Sequence, residues 1–327
     1  MEEAAPQTGE LVIAGGDHIP PLLKEIEERL QGEAFGYGAP LAQFGEATIA
    51  AGGKRLRPLV LLLCAGPPHS EPQRAALVRA GAAIELIHSA TLVHDDVLDQ
   101  ADLRRGKPTV VSIAGRDAAI STGDLLFARA FRLITESGDP DSVQLLSGAC
   151  SALARGELLQ RADSWNSAVT LERYLERCEL KTARLFEAAC AIAAAITDER
   201  QLQLASFGRR IGVAFQLLDD VLDVSGPAER TGKHRGTDLL DGTVTLPLII
   251  AREKDPAIDA LDLRSLSGAE EAELLCDRIA ATGALEESRA YALALVDEAK
   301  QALPVELDDR RRRSLELVAD SVVARYS

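Results

Sequence analysis

Residues 82–99 read AAIELIHSATLVHDDVLD, and residues 211–223 read IGVAFQLLDDVLD. Each is a run rich in Ala, Ile, Leu and Val that ends in the same pentapeptide, at Asp95-Asp96-Val97-Leu98-Asp99 and again at Asp219-Asp220-Val221-Leu222-Asp223. A segment that is apolar on most of its helical faces belongs in the centre of a bundle. Two such segments that finish in carboxylates place those carboxylates at the mouth of a common cavity. At about 100° per residue, the three aspartates of a cluster fall within an arc of roughly 100° on one helix face. Charge crowded in that way is costly unless cations neutralise it, and an all-oxygen donor set suits Mg²⁺. A single cluster reads equally well as a solvated helix end, but a second copy closing a second apolar segment argues against that bland reading.

Outward from these two stretches the chain stays helical in character. Of its 327 residues, 46% are hydrophobic and only 4% aromatic, a balance that favours close-packed Ala- and Leu-rich helices over sheets. The expectation is an all-α fold, a bundle of about 12 helices around a deep central cavity, with residues 1–18 as a flexible tail and 19–327 as one domain. Helices are expected near 20–31, 40–51, 56–65, 72–100, 116–136, 140–162, 170–196, 199–224, 238–253, 269–282, 285–302 and 307–325.

The net charge of −15 argues against a nucleic-acid partner, which needs a basic face. Cys64, Cys150, Cys178, Cys190 and Cys276 have no metal-like spacing and read as buried small apolar side chains in a reducing compartment. The acidic N-terminus lacks the basic and apolar regions of a signal peptide, and the strongly apolar stretch 59–65 is too short to cross a bilayer, so a cytoplasmic location is expected.

Two basic turns complete the pattern. Gly52-Gly53-Lys54-Arg55-Leu56-Arg57-Pro58 precedes a helix, and Arg104-Arg105-Gly106-Lys107-Pro108 comes after the first acidic cluster. Glycines let backbone approach an anion, and Lys54 and Arg57, three apart, can point the same way. Either turn alone would read as a solvated loop.

Taken with Phe215-Gln216-Leu217-Leu218 before the second cluster, Gly232-Lys233, and Gly236-Thr237-Asp238-Leu239 to Thr245-Leu246-Pro247, these motifs resemble the trans-isoprenyl diphosphate synthases, or polyprenyl synthetases, over roughly residues 20–325. The resemblance implies the isoprenoid synthase fold and a homodimer. It also implies Mg²⁺, three ions with substrate bound, held by Asp95, Asp99, Asp219 and Asp223 and supported by Asp96 and Asp220. By the same resemblance Lys54, Arg57, His88 and Arg105 bind isopentenyl diphosphate. Arg104, Lys181 and Lys233 bind the allylic diphosphate, with Thr182 and Gln216 facing the reacting carbons. The chain departs from the pattern at Thr243, where many short-chain members carry Lys, and at His234-Arg235.

The chemistry implied is ionisation of the allylic C–O bond, attack by the isopentenyl double bond and loss of a proton, which requires no side-chain nucleophile. One helical turn rises about 5.4 Å, close to one extended isoprene unit, so residues below Asp95 act as a ruler. Ala90 and Thr91 are small and Ile87 lies a turn deeper, which leaves the tunnel open and implies a product of about 30 to 50 carbons. The alternative is a short-chain synthase making about 15 to 20 carbons. A terpene cyclase, normally aromatic-lined, and a non-catalytic subunit fit this sequence less well. His94 reads as a structural partner, His18 and His69 as surface residues. The Arg310–Arg313 run reads as a solvated helix face, with contact to an anionic lipid surface as the other reading.

Overall fold

The structure, a computed structural model, describes residues 8–34, 41–50, 53–104, 106–198, 201–226 and 235–324. It is all-α, with about 16 helices making up 80% of it. A two-stranded hairpin, Leu103–Arg104 against Lys107–Pro108, is the one piece of sheet among the described residues.

The helix carrying the first acidic cluster spans Glu71–Leu98. Ser70 caps it by accepting a hydrogen bond from the Gln73 amide at 3.3 Å, and Pro72 fits the first turn, where its missing N–H costs nothing. It runs about 42 Å at 1.5 Å per residue. By length and apolar content this helix would suffice to cross a bilayer, yet 67% of its apolar window is buried inside the protein. It packs most extensively on Arg116–Thr135, and also on Ile19–Ala34 and Leu56–Ala65. The helix of the second cluster, Gln201–Ser225, pairs with Arg184–Thr197 and with Ala284–Gln301. Small residues at the contacts, Ala80, Ala82, Ala83, Ala188 and Ala189 among them, let these axes come close. Leu59 to Leu63 are all fully or almost fully buried, each contributing about 1.5–3 kcal/mol from apolar burial. One apolar core runs from Leu11 to Val322.

Several boundaries differ from the sequence expectation, each for a local reason. The tail expected over residues 1–18 contains a helix, Thr8–Gly15, whose Leu11 is 3% exposed and which packs on Asp309–Ala324. Arg310 and Ser314 bond the Ala14 carbonyl, and Arg311 bonds that of Leu63. The arginine run is thus partly a clasp for the N-terminal helix. His18, expected at the surface, is half-buried beside Arg310, and burial followed by that cation lowers its pKa.

The helix expected over 170–196 is interrupted by a π turn, Glu179–Ala183. The helix expected over 238–253 breaks into Thr237–Leu240 and Leu246–Lys254 around Gly242, whose φ of 70° ends the first piece, with Pro247 opening the second.

Candidate active site

Two cavities meet between the acidic helices. The polar one, about 290 Å³, is lined by Asp95, Asp99, Asp220, Asp223, Asp238 and Asp241, with Arg104, Arg161, Arg177 and Lys181 as its cations. The other, about 620 Å³, is mainly apolar: Thr91, Leu92, Leu98, Phe127, Leu153, Ala154, Leu158 and Phe215 form its walls, with Arg57, His88 and Asp219 at its polar end. Asp95, Lys181 and Gln216 line both. A charged chamber therefore opens onto a greasy one through three polar side chains.

The π turn explains how Lys181 and Thr182 reach this junction. A π turn re-aims successive side chains, and such turns are frequent at functional sites. The Pro140–Ala162 helix can approach it because position 156 is glycine: a Cβ there would lie 2.6 Å from the Lys181 amide nitrogen. The close approach lets Lys181 donate to Glu157 and Gln160. From the junction a chain of neutral donors reaches the second cluster. The Thr182 hydroxyl donates to Gln216 Oε1 at 2.5 Å, the Gln216 amide donates to Asp220 Oδ1 at 2.8 Å, and the Tyr174 hydroxyl donates to Asp220 Oδ2 at 2.7 Å.

Arg57 is a further cation of the site, on the lining of the apolar cavity. The helix bearing it, Leu56–Ala65, starts from Arg55 in the left-handed region at φ 46°, a conformation that costs about 1–2 kcal/mol for a non-glycine residue. Bonds from the Arg55 guanidinium to Glu27, Glu85 and the Ile49 carbonyl offset that cost. Arg57 is thereby turned inward, its guanidinium 4.5 Å from the Phe186 ring centre and its buried Nε without a hydrogen-bond partner. Burial pulls its pKa down to about 10, against the opposing pull of Glu85 and Asp219. A buried, incompletely satisfied guanidinium facing a cavity is a receptor for an anion.

The carboxylates show the opposite imbalance. Burial raises Asp95 to about 6, with Lys181 and Arg104 pulling it back and Glu157 and Asp99 adding to the rise. Asp238 is raised well above the usual range by burial and then by Asp223 and Asp220, and Asp223 accepts from the Asp238 amide at 3.2 Å. Carboxylates buried and crowded in this way are an oxygen donor set that fits a hard divalent cation. Among the described residues no three such side chains already converge on a single point.

Some of the expected site residues fall elsewhere. Asp96 does not share the face of Asp95 and Asp99. It is 5% exposed, accepts from Arg104 Nε at 2.7 Å, and lines a neighbouring cavity with Ser89 and Thr109. Arg104 is brought to it by the hairpin after the helix. The arc of roughly 100° that was expected to unite three aspartates instead separates the middle one. Asp219 likewise faces the apolar cavity while Asp220 and Asp223 face the polar one. Lys54 is exposed and lines neither cavity. Of the chain-length candidates, Thr91 is on the cavity wall, but Ala90 and Ile87 are fully buried in helix packing and do not line it. Arg105 and Lys233 lie outside the described residues. His94 stacks on Phe127 at 5.7 Å, a structural partner as expected.

The sequence motifs do not mark Tyr174, Glu157, Gln160, Arg161, Arg177 and Asp241, all of which line or support the polar cavity, and they give no role to Asp238. For Glu157, Gln160 and Arg161 a signal was present: three polar side chains within one and a half turns of an otherwise Ala- and Leu-rich helix.

Residues 39–276 match the polyprenyl synthetase family. The chain belongs to that family. This polyprenyl synthetase is 38% identical over 290 residues to octaprenyl diphosphate synthase of Escherichia coli, covering 86% of this chain and 89% of that one. It is 36% identical over 285 residues to geranylgeranyl diphosphate synthase of Methanosarcina mazei, covering 85% and 87%. In structure it resembles a decaprenyl diphosphate synthase from Rhodobacter capsulatus, with a TM-score of 0.88, 31% identity, and coverage of 98% of this chain and all of the other. Membership of the polyprenyl synthetases makes the chain a prenyl-transferring enzyme.

Proposed function

We propose that this polyprenyl synthetase lengthens an allylic diphosphate with isopentenyl diphosphate by Mg²⁺-dependent head-to-tail condensation, and that its product is a long all-trans polyprenyl diphosphate of about 30 to 50 carbons. The observation that carries the reading is the junction at Asp95, Lys181 and Gln216, where a chamber suited to diphosphate opens onto one suited to hydrocarbon.

Asp95, Asp99, Asp220 and Asp223 would hold the cation. When bound it supplies positive charge to the departing diphosphate. Arg104 and Lys181 orient the same diphosphate from the first cluster's side, while Arg57 and His88 hold the second diphosphate at the polar end of the apolar cavity. The allylic C–O bond breaks, with its electron pair leaving on the diphosphate. The isopentenyl double bond then forms the new C–C bond, and a proton leaves the carbon beside it. The walls around the reacting carbons are mostly leucine and phenylalanine with Thr91, which exclude water, and the Cys150 thiol among them is pushed by burial to about 12, so it stays protonated and offers no thiolate.

Product length is supported by the wall itself. Thr91 is the side chain one turn below Asp95 that faces the cavity, and it is small. Farther out, Leu158 lines the cavity and is also 71% exposed, so the chamber is not closed there by the chain's own packing. The stacked pair of His94 and Phe127 narrows the same wall and favours the shorter product as the second reading. Chromatography of the products made from labelled isopentenyl diphosphate decides between them. Thr91→Phe is expected to shorten the product, whereas Ala90→Phe would disturb helix packing instead. A homodimer in the cytoplasm is the assembly that goes with this reading, and light scattering of the purified protein tests the dimer.

A further inference from the structure

Among the described residues the cations of the polar cavity are unevenly placed. On the first cluster's side its cations are already committed to carboxylates: Arg104 to Asp96, Arg161 to Asp99 and Glu157, and Lys181 to Glu157. On the second cluster's side the described lining holds Asp220, Asp223, Asp238 and Asp241 with a single cation, Arg177.

Arg177 is in the last turn of the Leu171–Cys178 helix and is 5% exposed. Its Nη2 donates to the Val244 carbonyl at 2.7 Å, and its guanidinium carbon lies 5.2 Å from the Tyr174 ring centre. Among the described residues no carboxylate lies within ion-pair distance of it. A guanidinium has five N–H donors in a planar fork, so one carbonyl leaves most of them available to the cavity. Its charge already acts on buried Asp220 and Asp238 without a direct ion pair to either, so its free donors can be taken by an anion of matching geometry in the cavity. Thr243, one residue before the carbonyl that Arg177 holds, lines the same cavity with a neutral hydroxyl.

We infer that Arg177 is a diphosphate-binding residue: on the second cluster's side its buried guanidinium receives the phosphate of the allylic substrate that lies farther from the reacting carbon, opposite Arg104 and Lys181. This rests on the proposed prenyl transfer and adds to it a contact that the motifs do not mark. A purely structural role, fixing the turn at Val244, would show in stability alone.

The test is calorimetric titration of inorganic diphosphate with Mg²⁺ into Arg177→Met and Arg177→Lys, alongside KM for each substrate and the melting temperature. Arg177→Met is expected to weaken diphosphate binding and raise the allylic KM about tenfold to a hundredfold, as loss of a charge-assisted contact does. The KM for isopentenyl diphosphate stays within about twofold, because that site is built around Arg57. Arg177→Lys recovers part of the loss. Adding Thr243→Lys to Arg177→Met restores binding by putting an ammonium in the same corner. Unchanged diphosphate affinity in Arg177→Met, or equal increases in both KM values tracking a lower melting temperature, overturns the inference. Should Arg177→Met not fold, Arg177→Lys with undiminished diphosphate affinity overturns it as well. Failure of the unsubstituted protein to consume isopentenyl diphosphate would sink prenyl transfer instead, and the titration would still report on Arg177.

Discussion

The two acidic clusters share one pentapeptide and sit in opposite electrostatic surroundings. At the first, arginines are already in place: Arg104 neutralises the buried Asp96, and Arg161 meets Asp99 at 2.7 Å. At the second, among the described residues, Tyr174 and Gln216 donate to Asp220, which also feels the charge of Arg177, and a backbone amide donates to Asp223. The difference comes from the segments on the C-terminal side of each cluster. The first helix ends at Leu98 and a basic hairpin folds back on it, whereas the second continues to Ser225 and meets the acidic Thr237–Leu240 turn. Identical motifs thus sit, among the described residues, beside two arginine ion pairs at the first cluster and mainly beside neutral donors and Arg177 at the second.

Four experiments follow from the largest effect to the smallest, the first three bearing on that contrast. Chelation of divalent cations is expected to abolish incorporation of labelled isopentenyl diphosphate, and Mg²⁺ to restore it, since both clusters depend on the same neutralisation. Asp95→Asn, which removes a carboxylate shared by both cavities, should lower kcat on the order of 10²–10³-fold, read in the same assay. Tyr174→Phe and Arg161→Ala then set the clusters against each other. Losing the hydroxyl that holds buried Asp220 should cost about tenfold or more in Mg²⁺ affinity, as loss of an outer partner does. Losing Arg161, whose pairs are substantially exposed, should change stability by less than about 1 kcal/mol. Equal effects would erase the contrast.

The fourth experiment concerns the wall and touches activity least. Burial pushes the Cys150 thiol up to about 12, and a free cysteine titrates near 8.5, so the native thiol stays protonated at pH 8. Because the raised value favours the protonated form, alkylation by iodoacetamide at pH 8 should be about a hundredfold or more slower in the native protein than in urea, becoming faster only as pH climbs toward 12.

The fold class and the acidic ends were legible because apolar runs that terminate in charge are a local pattern. Leu56–Ala65 and Pro140–Ala162 match their expected bounds to the residue for the same reason, each being bounded by a turn on the sequence itself. What sequence alone could not give is which way a side chain turns once helices pack. Asp96 and Asp219 left their expected partners because one residue of offset is about 100° of rotation. Ala90 and Ile87 lie on a buried face of the helix and do not line the apolar cavity, which their spacing could not reveal. Arg177, Tyr174 and Asp238 reach the site through contacts between distant segments, which no spacing records.

The central claim, that paired clusters at the mouth of an apolar chamber drive chain elongation, is tested most directly by incubating the purified chain with Mg²⁺, an allylic diphosphate and labelled isopentenyl diphosphate, then separating the products by chromatography. The expected result is an allylic chain lengthened in five-carbon steps, label in every product and one diphosphate released per step. Release of diphosphate without incorporation of label, or no reaction while the protein is folded and Mg²⁺ is present, would contradict it.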